Sequence, residues 1–120
     1  GAEAALLRVK DVPRNFGSPA EQMVQYVLDV SAIRLAQGKL DEAWKVLTVE
    51  GGKLYDEYGE FSMYHALQRV RASEIALARG DRVTAARYAA EAAEHVRKYG
   101  VEGELPFLDA AVARVVRAAT

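Results

Sequence analysis

Two glycine corners, 42 positions apart, constrain this chain more than any single residue does. The first reads Gln37-Gly38-Lys39-Leu40-Asp41-Glu42-Ala43, the second Arg79-Gly80-Asp81-Arg82-Val83-Thr84-Ala85. Each follows a helix-like run ending in Leu-Ala and opens into another. Ser31/Ser73, Ile33/Ile75, Leu35/Leu77, Ala36/Ala78 and Ala43/Ala85 match at the same offset. A repeat of this length implies supersecondary units that stack, because one amphipathic hairpin cannot bury both of its faces alone.

The 120 residues suit one domain with a moderate core, and 51% hydrophobic with 28% charged residues is the balance of a globular chain. There is no cysteine, which excludes disulfides, thiolate metal sites and a Cys nucleophile together. A net charge of -1 provides no overall field toward nucleic acid. No apolar run approaches the ~18 residues of a membrane span, and the first residues lack the basic-then-apolar order of a secretion leader. The expectation is a cytoplasmic protein that does not enter a membrane.

Taken in order, Ala2 to Val9 can form two helical turns, and residues 1–17 read as a short helix with a linker broken by Pro13, Asn15 and Gly17. Ser18-Pro19 with Glu21 is a capping box with proline at the first helical position. It opens a helix over 19–37 with Val24, Val27, Leu28, Ser31 and Leu35 as its stripe, widened by Val30 and Ile33 to a second buried side. A second helix is expected over 41–58, with Ala43, Leu47, Gly51, Leu54 and Tyr58 on one face. Its weak point is Gly51-Gly52: Gly51 aligns with Ala93 as a small packing position, Gly52 aligns with Glu94, and any bend belongs there. The third helix spans 61–79, and the fourth follows Asp81 as N-cap to Tyr99 with Ala85, Ala89, Ala92, Ala93 and Val96 inward. The last runs from Pro106 to Ala118 and fits the third at an offset near 45, as in Met63/Leu108, Arg69/Arg114 and Val70/Val115. The fold class is therefore all-α: five long helices plus a short N-terminal one, in units 18–59 and 60–100 and a half unit 101–120.

These corners resemble the inter-helix turn of tetratricopeptide (TPR) repeats, which favours Gly, a polar residue, Leu or an aromatic, Asp-Glu and Ala. Gly38 to Ala43 matches closely. The second copy keeps Gly80, Asp81 and Ala85 but has Val83-Thr84 for Asp-Glu. Ser31 and Ser73 suit the family's small positions at the helix crossing. The family's usual repeat is ~34 residues, its aromatic is replaced by Arg34 and Ala76, and its terminal proline is missing. The longer units resemble those of MalT-like transcription activators and kinesin light chains. The resemblance implies antiparallel hairpins stacked as a right-handed superhelix over 18–120, with a concave groove lined by the first helix of each pair.

Residues with chemical potential have plainer readings. Glu91 and His95 lie one turn apart and could share a metal, but without a third ligand they and His65 read as solvated helix residues. No G-x-S-x-G and no phosphate-binding glycine loop occurs, so neither catalysis nor a cofactor or metal is expected. Asp56, Glu57 and Glu60 beside Tyr55, Tyr58, Phe61 and Tyr64 read as packed aromatics with solvated carboxylates. Trp44 is expected to pack on the third helix. Arg69, Arg71, Arg79, Arg82, Arg87 and Arg97 interleave with acids, the mark of a salt-bridged helix surface rather than of a nucleic-acid site.

Carried onto this chain, the resemblance implies a groove lined by Gln25, Leu28, Asp29 and Ala32 from the first unit and by Leu67, Val70, Arg71 and Glu74 from the second. The leucines would supply burial; Asp29, Arg71 and Glu74 would orient a peptide or helix. The leading expectation is a non-catalytic scaffold for a protein or peptide partner. The alternatives are a sensory segment of a larger MalT-like activator and a homo-oligomerising module.

Overall fold

A computed structural model describes residues 19–53, 62–98 and 106–120, and every regular element among them is helical. The elements are α1 (Pro19–Ala36), α2 (Leu40–Lys45), a π turn (Val46–Glu50) that continues as helix over 51–53, α3 (Ser62–Ala78), α4 (Arg82–Lys98) and α5 (Pro106–Ala119). The N-terminal short helix, the Ser18 cap, the acidic and aromatic stretch 55–61 and the loop 101–105 lie outside the described residues. Among the described helices none is long and apolar enough to cross a membrane. The chain divides into two compact units, Gly1–Gly59 and Glu60–Thr120.

In both units the corner has the same backbone. Gly38 and Gly80 adopt φ of 76° and 81°, a left-handed conformation that costs glycine little. Lys39 N–H donates to the Arg34 carbonyl and Gly38 N–H to that of Leu35, at 2.9 and 3.0 Å. Asp81 to Ala76 and Gly80 to Leu77 repeat the pair at 2.9 and 3.0 Å. This crossed pair closes the helix C-terminus by satisfying carbonyls that would otherwise lack a partner. The next helix starts alike, with Ala43 N–H on the Lys39 carbonyl and Ala85 N–H on that of Asp81.

In the first unit α1 begins at Pro19 and packs on α2 and the π turn. Val24, Val27, Leu28 and Ser31 are buried along one side, Tyr26 and Val30 along another, while Ile33 and Leu35 stay half-buried. The helix after the corner continues through the glycine pair to residue 53. Its irregularity runs directly into that pair, where the Gly51 N–H reaches back five residues to the Val46 carbonyl. The Thr48 hydroxyl donates to the Trp44 carbonyl at 2.8 Å, a back-bond that loosens helical winding. Three β-branched residues, Val46, Thr48 and Val49, lower helix preference in the same turn. A π turn accommodates one extra residue. Buried positions therefore fall at Ala43, Leu47 and Gly51, where the second unit has Ala85, Ala89 and Ala92. Gly51 thus takes the place of Ala92 rather than Ala93, and Gly52 takes the half-buried place of Ala93 rather than that of Glu94.

In the second unit α3, α4 and α5 pack on one another. Helix α3 is buried on two sides, through Ala66, Val70 and Ser73 and through Gln68, Ala72 and Ile75. The Ser73 hydroxyl crosses to α4 and donates to the Ala85 carbonyl at 2.8 Å. Helix α4 offers Ala85, Ala89, Ala92, His95 and Val96, a mostly small stripe that lets helix axes approach closely. Ala93, expected inward, is half-buried. Asp81 is the N-cap: it accepts the Thr84 hydroxyl at 2.7 Å and the Thr84 N–H at 3.1 Å. Those two bonds, the hydroxyl first, hold its carboxyl below the ordinary value. Helix α5 contributes Leu108, Val112, Val115 and Ala119.

Candidate partner-binding surface

The residues expected to line a groove fall into two equivalent sets. Gln25, Asp29 and Ala32 sit at helical spacing i, i+4, i+7 on α1, and Leu67, Arg71 and Glu74 repeat that spacing on α3, 42 residues on. Gln25 is exposed; the other five are half-buried. Each set thus forms a solvent-touching flank on the first helix of its unit. Leu28 and Val70 do not join them. Both are 3% exposed, because position i+3 of each flank turns inward with Val24 and Ser31, or with Ala66 and Ser73. They serve the core, and Leu67 is the apolar member left at the surface.

The two flanks differ in charge. On α1 the Gln25 Nε2 donates to the Asp29 Oδ1 at 2.9 Å, which orients the carboxylate along the helix. On α3 the Glu74 carboxylate lies between two guanidiniums, with Arg71 Nε at 3.3 Å and Arg114 Nη2 of α5 at 3.5 Å. Half-exposed pairs of this kind contribute ~0–1 kcal/mol to stability. Their clearer effect is positional. Glu74 holds the Arg71 and Arg114 guanidiniums, from α3 and α5, at one place. Arg114 escaped the sequence reading, which matched it only with Arg69. Its reach to Glu74 depends on how α5 lies across α3, and no local pattern records that.

The other candidates resolve differently. His95 is not solvated: it is 9% exposed, and its ring meets that of His65 with centroids 4.4 Å apart and planes tilted by 47°. One helix places His65 three residues into α3, the other places His95 one turn before the end of α4, and their packing brings the rings together. Glu91 is exposed on the same helix as His95. Among the described residues no group of three or more His, Cys, Asp or Glu is arranged to hold a metal ion. Ser31 and Ser73 are fully buried, with their hydroxyls donating to the carbonyls of Leu28 and Ala85. Trp44 is half-buried on α2. Arg79, Arg82, Arg87 and Arg97 are exposed, and the Arg87 guanidinium lies 4.9 Å from the centre of the Tyr88 ring. No family model, curated protein or solved structure matches this chain.

Proposed function

We propose that this chain is a TPR-like, non-catalytic module in which the first helix of each hairpin presents a protein-binding flank. The observation that carries this reading is the equivalence of the flanks. Gln25/Leu67, Asp29/Arg71 and Ala32/Glu74 occupy matching places above matching buried residues, Leu28 and Val70. Units that repeat their exposed positions in register suit an extended or helical segment, which also repeats along its length. The mixture fits such a ligand: Leu67 and Ala32 offer apolar contact, while Asp29, Arg71 and Glu74 set direction and register.

The test is capture of partners on the immobilised chain, followed by titration of each purified partner. Asp29→Ala, Arg71→Ala and Glu74→Ala combined should weaken a groove ligand by tenfold or more, as loss of several oriented charge contacts does. Unchanged binding of every captured partner to the triple variant would end this reading.

A further inference from the structure

The only two histidines of the chain, His65 and His95, each stand 15 residues from Gly80. In an antiparallel hairpin, equal counts on either side of the turn bring two side chains to one level, about 22 Å along the helices at 1.5 Å per residue. There the two rings meet, with centroids 4.4 Å apart and planes tilted by 47°. His95 is buried and His65 half-buried, so the pair sits in the seam between α3 and α4 and reaches solvent through His65. The repeat does not ask for imidazoles here. The offset of 42 puts Met23 at the count of His65, and counting on from Gly51 in the place of Ala92 puts Leu54 at the count of His95. By sequence the first unit answers both positions with apolar residues, so packing alone does not account for two imidazoles in the second.

We infer that the juxtaposed rings of His65 and His95 form a two-imidazole site for a divalent nickel or copper ion, which clasps α3 to α4 at the end of the hairpin away from the corner. Imidazole nitrogens suit late first-row metals. Such an ion sits about 2.0–2.1 Å from its nitrogen and so about 3.2 Å from the ring centre. Two rings held at a right angle about it have centres roughly 4.5 Å apart, and at the tetrahedral angle roughly 5.2 Å. The observed 4.4 Å matches the right angle, the geometry of tetragonal copper and nickel rather than of tetrahedral zinc. The tilt keeps the rings from stacking face to face. A turn about each Cβ–Cγ bond leaves a ring nearly in place and selects which nitrogen edge faces its partner. Among the described residues no third His, Cys, Asp or Glu joins the pair, so water completes the coordination shell. The corner closes one end of this hairpin, and the ion would close the other. His65 and His95 belong to neither flank, so their variants test the site alone.

The experiment titrates nickel chloride into the whole chain, followed by calorimetry and by proton NMR of the imidazole C–H resonances. One ion should bind per chain, and its paramagnetism should broaden the resonances of both rings together. His65→Gln and His95→Gln should each weaken binding at least tenfold, because each removes one of two ligands. Magnesium, which prefers oxygen ligands, should change nothing at the same concentration. With nickel present, amide exchange in the first turns of α3 and the last turns of α4 should slow at least fivefold, and a chelator should restore it. Circular dichroism checks that each variant keeps its helix content; if His95→Gln does not, the half-buried His65→Gln and the broadening in the unaltered chain still decide. Absence of nickel binding, broadening of one ring only, undiminished binding by His65→Gln, or an equal response to magnesium would overturn the inference. None of these outcomes bears on the triple variant of the flanks.

Discussion

The two corners share a backbone and differ in what ties it. At Gly38 the tie is an ion pair across the turn, Arg34 Nε to Glu42 Oε2 at 3.5 Å, and Lys39 makes no side-chain cap. At Gly80 the places of Arg34 and Glu42 are held by Ala76 and Thr84. There the tie is the Asp81 cap with the buried bond from Ser73 to Ala85. Ser31, the counterpart of Ser73, donates instead within its own helix, to the Leu28 carbonyl at 2.8 Å. A glycine with positive φ and a helix of suitable length suffice to set the corner. The side chains around it are exchangeable reinforcements, and the second hairpin has the stronger set. The helices that follow diverge further. The one in the second unit is regular for 17 residues, and that in the first widens after six.

The comparison can be broken at several points. The largest effect is expected at Leu47, which is wholly buried in the widened helix. Leu47→Ala should cost about 2–5 kcal/mol in urea unfolding, with amide exchange rising in α1 and α2. A much smaller cost would mean that the π turn lets the first unit collapse around the cavity. The serines come next. Ser73→Ala should cost about 1 kcal/mol, the usual loss for a buried hydrogen bond, and Ser31→Ala clearly less, because its bond ties no second helix. Equal costs would remove the claimed difference between the hairpins.

Gly52→Ala should be stabilising by up to about 1 kcal/mol. The position is helical, and an added Cβ meets nothing within 4 Å. A loss of stability there would show that the widened turn needs glycine after it. The smallest effect concerns pH. The folded-state value of Asp81 is lowered, so its capping contribution is present above the ordinary carboxylate value of about 3.9 and is lost as pH falls through the folded value. Acid titration of thermal stability should therefore be shallower in Asp81→Asn, which keeps the cap without the charge.

Much of this architecture could be read in advance. Gly38, Gly80, Pro19, Asp81 and Pro106 are local signals, and each sits at the helix end expected of it. The stripes of Val24, Val27 and Ser31 and of Ala85, Ala89 and Ala92 follow from period alone. What was missed involves register or distance. The π turn moves Gly51 by one residue through a change in winding that β-branched residues favour but do not dictate. The TPR resemblance implies that Leu28 and Val70 line the groove, yet they are buried, because a step of one residue from Asp29 or Arg71 turns a side chain by about a quarter of the helix. His95 and Arg114 owe their surroundings to helix packing, with His65 and Glu74 far away along the chain. The matching places of Gln25, Asp29 and Ala32 and of Leu67, Arg71 and Glu74 were legible because their spacing follows the repeat.

The equivalence of the corners is the premise of both hairpins and of the paired flanks. Its most direct test is replacement of Gly38 and Gly80, one at a time, by L-alanine and by D-alanine in semisynthetic protein. At φ of 76° and 81°, with nothing within 4 Å of an added Cβ, the two positions should respond alike. L-Alanine should destabilise each by about 1–2 kcal/mol, and D-alanine, which favours this conformation, should not destabilise either. The same response to both enantiomers, or opposite responses at the two positions, would contradict a shared corner.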